Sequence, residues 1–235
     1  SIGSGAFRST SGMKTPTPEA KAPSFGANAF TGTGIARILY AGSTTQWADH
    51  NMSDVFGTSV KVYYGMSGYY VENDVLVSYT GSAESVSVPG FIVRIEDGAF
   101  RDRNSMQSIS LPNSLKSIGQ SAFDGCTALA RITIPSSVTS IEKWAFDNCK
   151  SLTKISVVSD NKNYSASGGV LYDKDKGKLL RCPPALDADS FSVPSTVTVI
   201  GDSAFAACNG LTKVTIPEGV VTLEPSAFDQ WANLR

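Results

Sequence analysis

Ile134-Pro135-Ser136-Ser137-Val138-Thr139-Ser140-Ile141-Glu142-Lys143-Trp144-Ala145-Phe146-Asp147-Asn148-Cys149-Lys150-Ser151-Leu152-Thr153-Lys154-Ile155-Ser156 is one unit of a repeat, and its reading decides the fold. Its neighbour from Leu111 matches it closely, as do the units from Val193 and Ile216, and the unit from Val88 is a looser copy. Seven Ala-Phe pairs mark the period, with phenylalanines at Phe7, Phe30, Phe100, Phe123, Phe146, Phe205 and Phe228. The gaps are 23, 70, 23, 23, 59 and 23 residues, so the two long gaps are one repeat plus an insertion. A period of this size belongs to a stacked solenoid, in which each unit buries its apolar face only against its neighbours.

Apolar residues recur at fixed rungs. One column is Ile2, Phe25, Ile95, Ile118, Ile141, Ile200 and Leu223; another is Met106, Leu129, Leu152, Leu211 and Leu234; a third is Ile109, Ile132, Ile155 and Val214. The stretch Arg131-Ile132-Thr133-Ile134 alternates with period two, which marks a strand with one buried face. Pro135 ends it, because proline cannot extend a ladder. The expected fold is a β-rich solenoid with one parallel-sheet strand per coil and a second crossing before the Ala-Phe segment. That segment is expected to form a short helical turn, with Phe in the core over the Phe of the next coil.

Cys126, Cys149 and Cys208 each fall three residues after an Ala-Phe phenylalanine, so they are one repeat position. Arg103 and Trp231 occupy it elsewhere, which a required bridge or metal site would not tolerate. Buried thiols acting as small hydrophobes are expected, with Cys182 outside the pattern. Trp144 and Trp231 are expected to pack in the core.

The unit Leu-x-x-Ile-x-Ile-Pro-x-x-Val-x-x-Ile-x-x-x-Ala-Phe-x-x-Cys resembles the BspA-like leucine-rich repeat of bacterial surface proteins. The likeness is close over 88–156 and 193–235 and degenerate over 1–40. It implies a right-handed leucine-rich repeat stack. It also implies a non-enzymatic module at the bacterial cell surface or outside the cell, adhering to a protein or glycan ligand on a host or neighbouring cell. A structural spacer that projects another domain is the alternative.

Organisation follows as one repeat domain over 1–235, monomeric: degenerate repeats in 1–40, an insertion in 41–87, regular repeats in 88–156, a hairpin insertion in 157–192 and truncated regular repeats in 193–235. Both ends read as interrupted repeats, which marks a piece of a longer protein. Residues 35–64 are similar to the Tyr-x-Gly-(x)n-Gln-Trp insert of such arrays, with flanking strands that join the sheet, a short helix near Trp47 between them, and Trp47 pinning the insert to the stack. Gly168 through Arg181 reads as a β-hairpin with a charged tip, and 69–87 carries a shorter echo of it.

Chemistry is sparse. The one histidine, His50, lacks the neighbours of a metal site or a triad and is expected in a solvated loop. Asp173, Asp175 and Gly177 only faintly resemble a calcium loop, because lysines intervene and no distal Glu follows. No catalytic residue, cofactor or metal ligand is assigned. Lys+Arg 20 against Asp+Glu 21 gives net charge -1, which offers no global field for nucleic acid or an anionic membrane. No apolar run is long enough to span a bilayer. What remains is the outward strand face: Ser108, Arg131, Lys154 and Lys213 in one row, and Thr133, Ser156 and Thr215 with Ser110 in the next. This basic-and-hydroxyl stripe is the candidate ligand-contact face, suited to an acidic protein or anionic glycan.

Overall fold

A computed structural model describes residues 37–40, 61–63 and 66–231. The chain divides into two compact units, 1–69 and 70–235. In the first, β1 (Arg37–Leu39) pairs in parallel with β2 (Lys61–Tyr63), Arg37 opposite Lys61. The Tyr40 N–H extends the pairing to Tyr63 O at 2.8 Å. These are the two strands expected to flank the Gln-Trp segment. Trp47, His50, Phe7 and Phe30 lie outside the described residues.

The second unit opens on a hairpin, β3 (Tyr69–Glu72) and β4 (Val75–Tyr79), whose turn residues Asn73 and Asp74 both have positive φ. Two adjacent residues of that hand suit the twist of a tight hairpin. The coils follow, and each carries two short parallel strands rather than one. The first ladder is β5 (Ser85–Ser87), β7 (Ser108–Ser110), β9 (Arg131–Ile134) and β11 (Lys154–Val157), with β15 (Ser190–Ser192) and β17 (Lys213–Thr215) as a separate pair. Its inward residues Val86, Ile132 and Ile155 are buried. The second ladder runs through β6 (Arg94–Ile95), β8 (Ser117–Ile118) and β10 (Ser140–Ile141), then β16 (Val199–Ile200) and β18 (Thr222–Leu223). Its column is the isoleucine series read from the sequence, Ile95 pairing next to Ile118 and Ile118 next to Ile141.

The Ala-Phe segments are not helical turns, and no helix occurs among the described residues. The residues two before and two after each phenylalanine are left-handed: Gly98 and Asp102, Ser121 and Gly125, Trp144 and Asn148, Ser203 and Ala207, Ser226 and Gln230. Alternating hands break the helical path and aim successive N–H groups at the next coil. Gly98, Phe100 and Asp102 donate to Gln120, Ala122 and Asp124 at 2.8–2.9 Å. The backbone of this corner is therefore satisfied between coils, as a buried chain requires.

Aromatic rings stack beneath that corner. Tyr79, Phe100, Phe123 and Phe146 follow at centroid spacings of 5.3, 5.2 and 5.6 Å. Phe205 and Phe228 resume at 5.3 Å and 2° from parallel. Cys126 and Cys149 donate their S–H to Phe100 O and Phe123 O at 3.1 and 3.2 Å, and all four cysteines are buried and free. Trp231 takes the cysteine rung, buried, with its Nε1–H on Leu211 O at 2.8 Å.

Both insertions use one device. In each, the second strand of a hairpin replaces a second-ladder strand: Leu76 of β4 pairs opposite Ile95, and Leu179 of β14 (Lys178–Arg181) opposite Ile200. The larger insertion adds β12 (Tyr164–Ser167) and β13 (Val170–Asp173), antiparallel to each other, and β13 is in turn antiparallel to β14. Cys182 then stands on the phenylalanine rung, its N–H donating to Ala204 O at 2.7 Å, as Tyr79 donates to Ala99 O at 2.8 Å. The fully buried Asn161 ties the insertion down. Its Nδ2 donates to Pro135 O (2.7 Å) and Val138 O (3.1 Å), and its Oδ1 accepts from the N–H of Asn163 and Tyr164.

Candidate functional site

The larger insertion interrupts both ladders at the same level, and each interruption opens a depression. On the first-ladder side, β11 loses its strand neighbour, and a groove of about 480 Å3 is lined by Thr153, Lys154, Ser156, Gly168, Gly169 and Asp187 among others. On the second-ladder side, β10 is an edge strand whose Ile141 N–H is capped by the Tyr164 hydroxyl at 2.8 Å. There a cleft of about 140 Å3 lies between the Glu142–Asp147 corner and Lys178, Arg181, Asp202 and Glu224.

Parallel register puts Ser108 opposite Arg131 and Arg131 opposite Lys154, all three exposed. Thr133 and Ser156 form the next row, Thr133 exposed and Ser156 half-buried. Ser108 Oγ donates to Ser85 Oγ at 3.1 Å, extending the row one strand further. Lys213 and Thr215 are exposed but sit on β17, whose partner is β15. The stripe is therefore two patches, Ser108–Arg131–Lys154 and Ser190–Lys213, on separate sheets. Asp187, in the intervening groove, was not legible as part of this face, because no repeat position corresponds to it.

The cleft holds charges that sequence reasoning left unassigned. Arg181 is buried; its guanidinium donates to Ser203 O and, at 3.4 Å, to Phe146 O, and lies 3.6 Å from Asp147 Oδ1. Its Nε–H has no acceptor among the described residues. Burial raises the Asp147 carboxyl above the ordinary range, and Arg181 only partly offsets this. Lys178 Nζ donates to Glu224 Oε1 at 2.5 Å, and that bond holds Glu224 below the ordinary range. Lys143 reaches Asp202 at 3.8 Å from the opposite wall.

Trp144 belongs to this cleft and not to the core. It is 40% exposed, at φ +60°, on the left-handed rung where the smaller Ser121 and Ser203 of the sister coils are buried. Trp231, on the inward cysteine rung, is buried as expected.

Among the described residues, no group of three His, Cys, Asp or Glu is placed to hold a metal ion, and no helix is long and apolar enough to cross a membrane. Burial raises the Cys126 thiol to about 12 and the Cys149 thiol further, which suits packing and not nucleophilic chemistry.

A family model described as the BspA type leucine rich repeat region matches residues 73–168 and 185–235 in six copies. No curated protein sequence matches the chain significantly. Solved structures do. A leucine-rich repeat protein from Eubacterium ventriosum is 25% identical, with 85% of this chain and 52% of that one covered and a TM-score of 0.58. A leucine rich cell surface protein from Faecalibacterium prausnitzii is 26% identical, with 90% and 56% covered and a TM-score of 0.60. The pneumococcal vaccine antigen PcpA, 20% identical over 77% of this chain and 57% of its own, shares the fold at a TM-score of 0.54. The chain spans about half the length of these structural relatives.

Proposed function

Because the chain belongs to the BspA-type leucine-rich repeat family, we propose that it is a non-enzymatic binding module of a bacterial surface or secreted protein, contacting a protein or glycan on another cell. The cell-surface description of the Faecalibacterium relative supports the location. One observation carries the binding reading: Ser108, Arg131 and Lys154 are aligned and exposed on adjacent strands, and the row ends at the groove beside Ser156. Cations in register reinforce one another towards an acidic surface at low ionic strength. The repeat scaffold itself needs no residue at these outward positions, so their identity is free for recognition.

A binding screen of the full chain against matrix proteins and sulfated glycans tests this, with the Arg131→Glu, Lys154→Glu double variant beside it. Capture that the double variant abolishes, and that salt weakens, is the expected result. Capture unchanged by the double variant would rule out the strand face. An absence of any ligand would favour a spacer that holds another domain away from the envelope.

A further inference from the structure

Trp144 stands where the repeat elsewhere has Gly98, Ser121, Ser203 and Ser226. Its backbone is left-handed, a conformation that penalises bulky side chains. The indole is covered on one side and keeps 40% of its surface exposed. That exposed part is available to a ligand, which a serine at the same rung would not offer. Beside it lies the cleft, whose rim alternates acids and bases: Glu142, Lys143, Asp202, Lys178 and Glu224. The Lys143–Asp202 pair between its walls is long at 3.8 Å, and the lysine side chain is 68% exposed, so an incoming group displaces it at small cost.

We propose that this cleft binds one uncharged pyranose residue of a glycan. A pyranose presents an apolar C–H face and a rim of hydroxyls, each able to donate and to accept. The Trp144 indole supplies a flat apolar plate for the face. The carboxylates of Glu142 and Asp202 accept hydroxyl protons, and the ammonium groups of Lys143 and Lys178 donate to hydroxyl oxygens. Such a setting, one aromatic wall with a few placed polar groups, orients a small ligand. A ligand of single charge would meet repulsion from half of this rim, which is why a neutral sugar fits it best. The site lies on the second-ladder side and is independent of the Arg131–Lys154 face.

Saturation-transfer NMR of the full chain with methyl glycosides of glucose, galactose and N-acetylglucosamine, each at about 10 mM, tests the proposal. Signal from at least one glycoside is expected. The Trp144→Ser variant carries the residue of the sister coils, so it should fold normally and bind that glycoside at least about tenfold more weakly. Asp202→Asn should weaken it too. No saturation transfer from any of the three sugars would overturn the proposal, as would equal affinity in Trp144→Ser. A lysine-rich peptide perturbing the Trp144 indole while the sugars do not would also overturn it, in favour of a cationic ligand.

Discussion

The Phe123 ring lies over the Phe146 ring of the next coil, 5.6 Å between centroids and 6° from parallel, and under Phe100 at 5.2 Å. Phe123 thus has a ring on each side, while the next phenylalanine rung after Phe146 is held by Cys182. Phe123→Ala should cost about 3–5 kcal/mol, and the cavity should not collapse, because the corner backbone above it is fixed by bonds to both neighbours. Urea denaturation compares the variant with the parent; an unchanged midpoint would refute the core assignment.

Trp144→Gly should be more stable than Trp144→Ala, because both lose the same indole and only the backbone differs. Glycine adopts a positive φ without penalty, as Gly98 does at the same rung. Alanine keeps the left-handed cost, so glycine should be favoured by about 1 kcal/mol. A higher urea midpoint for the glycine variant, with an unchanged slope, is the expected reading.

Removing Arg181 should be far more damaging than removing an exposed cation such as Lys213. Arg181→Met would leave two backbone carbonyls and the half-buried Asp147 without their partner, at a cost of about 3 kcal/mol. Arg181→Lys should rescue little, because a single ammonium cannot reach three acceptors set apart by a planar fork. Thermal melts of the two variants check both statements.

The thiols make stability fall at high pH. The Cys126 thiol is raised to about 12 by burial, so the folded chain holds a proton that the unfolded chain releases above about 8.5. Stability should therefore decline as pH climbs between those values, and Cys149 acts in the same direction. Denaturant midpoints from pH 7.5 to 10.5, on the order of six steps, give the slope. Iodoacetamide should leave the native thiols unmodified at pH 8 and alkylate all four cysteines once the chain unfolds.

Asp147 and Glu224 of the cleft pull in opposite directions on the acid side. Glu224, lowered by its bond to Lys178, contributes stability above the ordinary carboxylate range that is lost as pH falls through its folded value. Asp147, raised by burial, carries a penalty when ionised, and acid relieves it first. Glu224→Gln should therefore flatten the loss of stability towards low pH, and Asp147→Asn should steepen it, both read from melting temperature against pH.

Most of the scaffold was legible because its constraints are periodic. Ile118, Phe123, Cys126, Leu129 and Ile132 each fill a slot that the next coil fills again, and repetition separates slot from accident. The second strand of each coil was harder to see, since Ser140-Ile141 offers one apolar residue and no alternation. The hand of the Ala-Phe corner was hidden because Ser, Trp and Gln at left-handed rungs carry no glycine signal. Inside the insertions the columns continue without their markers: Leu179 and Cys182 occupy the Ile and Phe rungs, yet no Ala-Phe pair announces them. For the same reason the sequence could place Lys213 on the right face but not on a separate sheet. Trp144 looked like core by residue type, yet it stands on a rung that holds a small buried serine in two sister coils, Ser121 and Ser203.

The corner bonds all run one way. Phe100, Phe123 and Phe205 each give their N–H forward, to Ala122, Ala145 and Ala227, and none gives it back. The corner is thus directional, while the strands beside it return N–H groups the other way, as Gly119 to Ile95 O and Thr153 to Ala130 O. Whole units of 23 residues can be duplicated or deleted without changing what one coil offers the next, whereas a change by a fraction of a unit sets corner amides out of register with their acceptors. The grammar of growth in this chain is written in amides, and the hairpins at Leu76 and Leu179 are the two places where a longer phrase was admitted because its last strand kept the register.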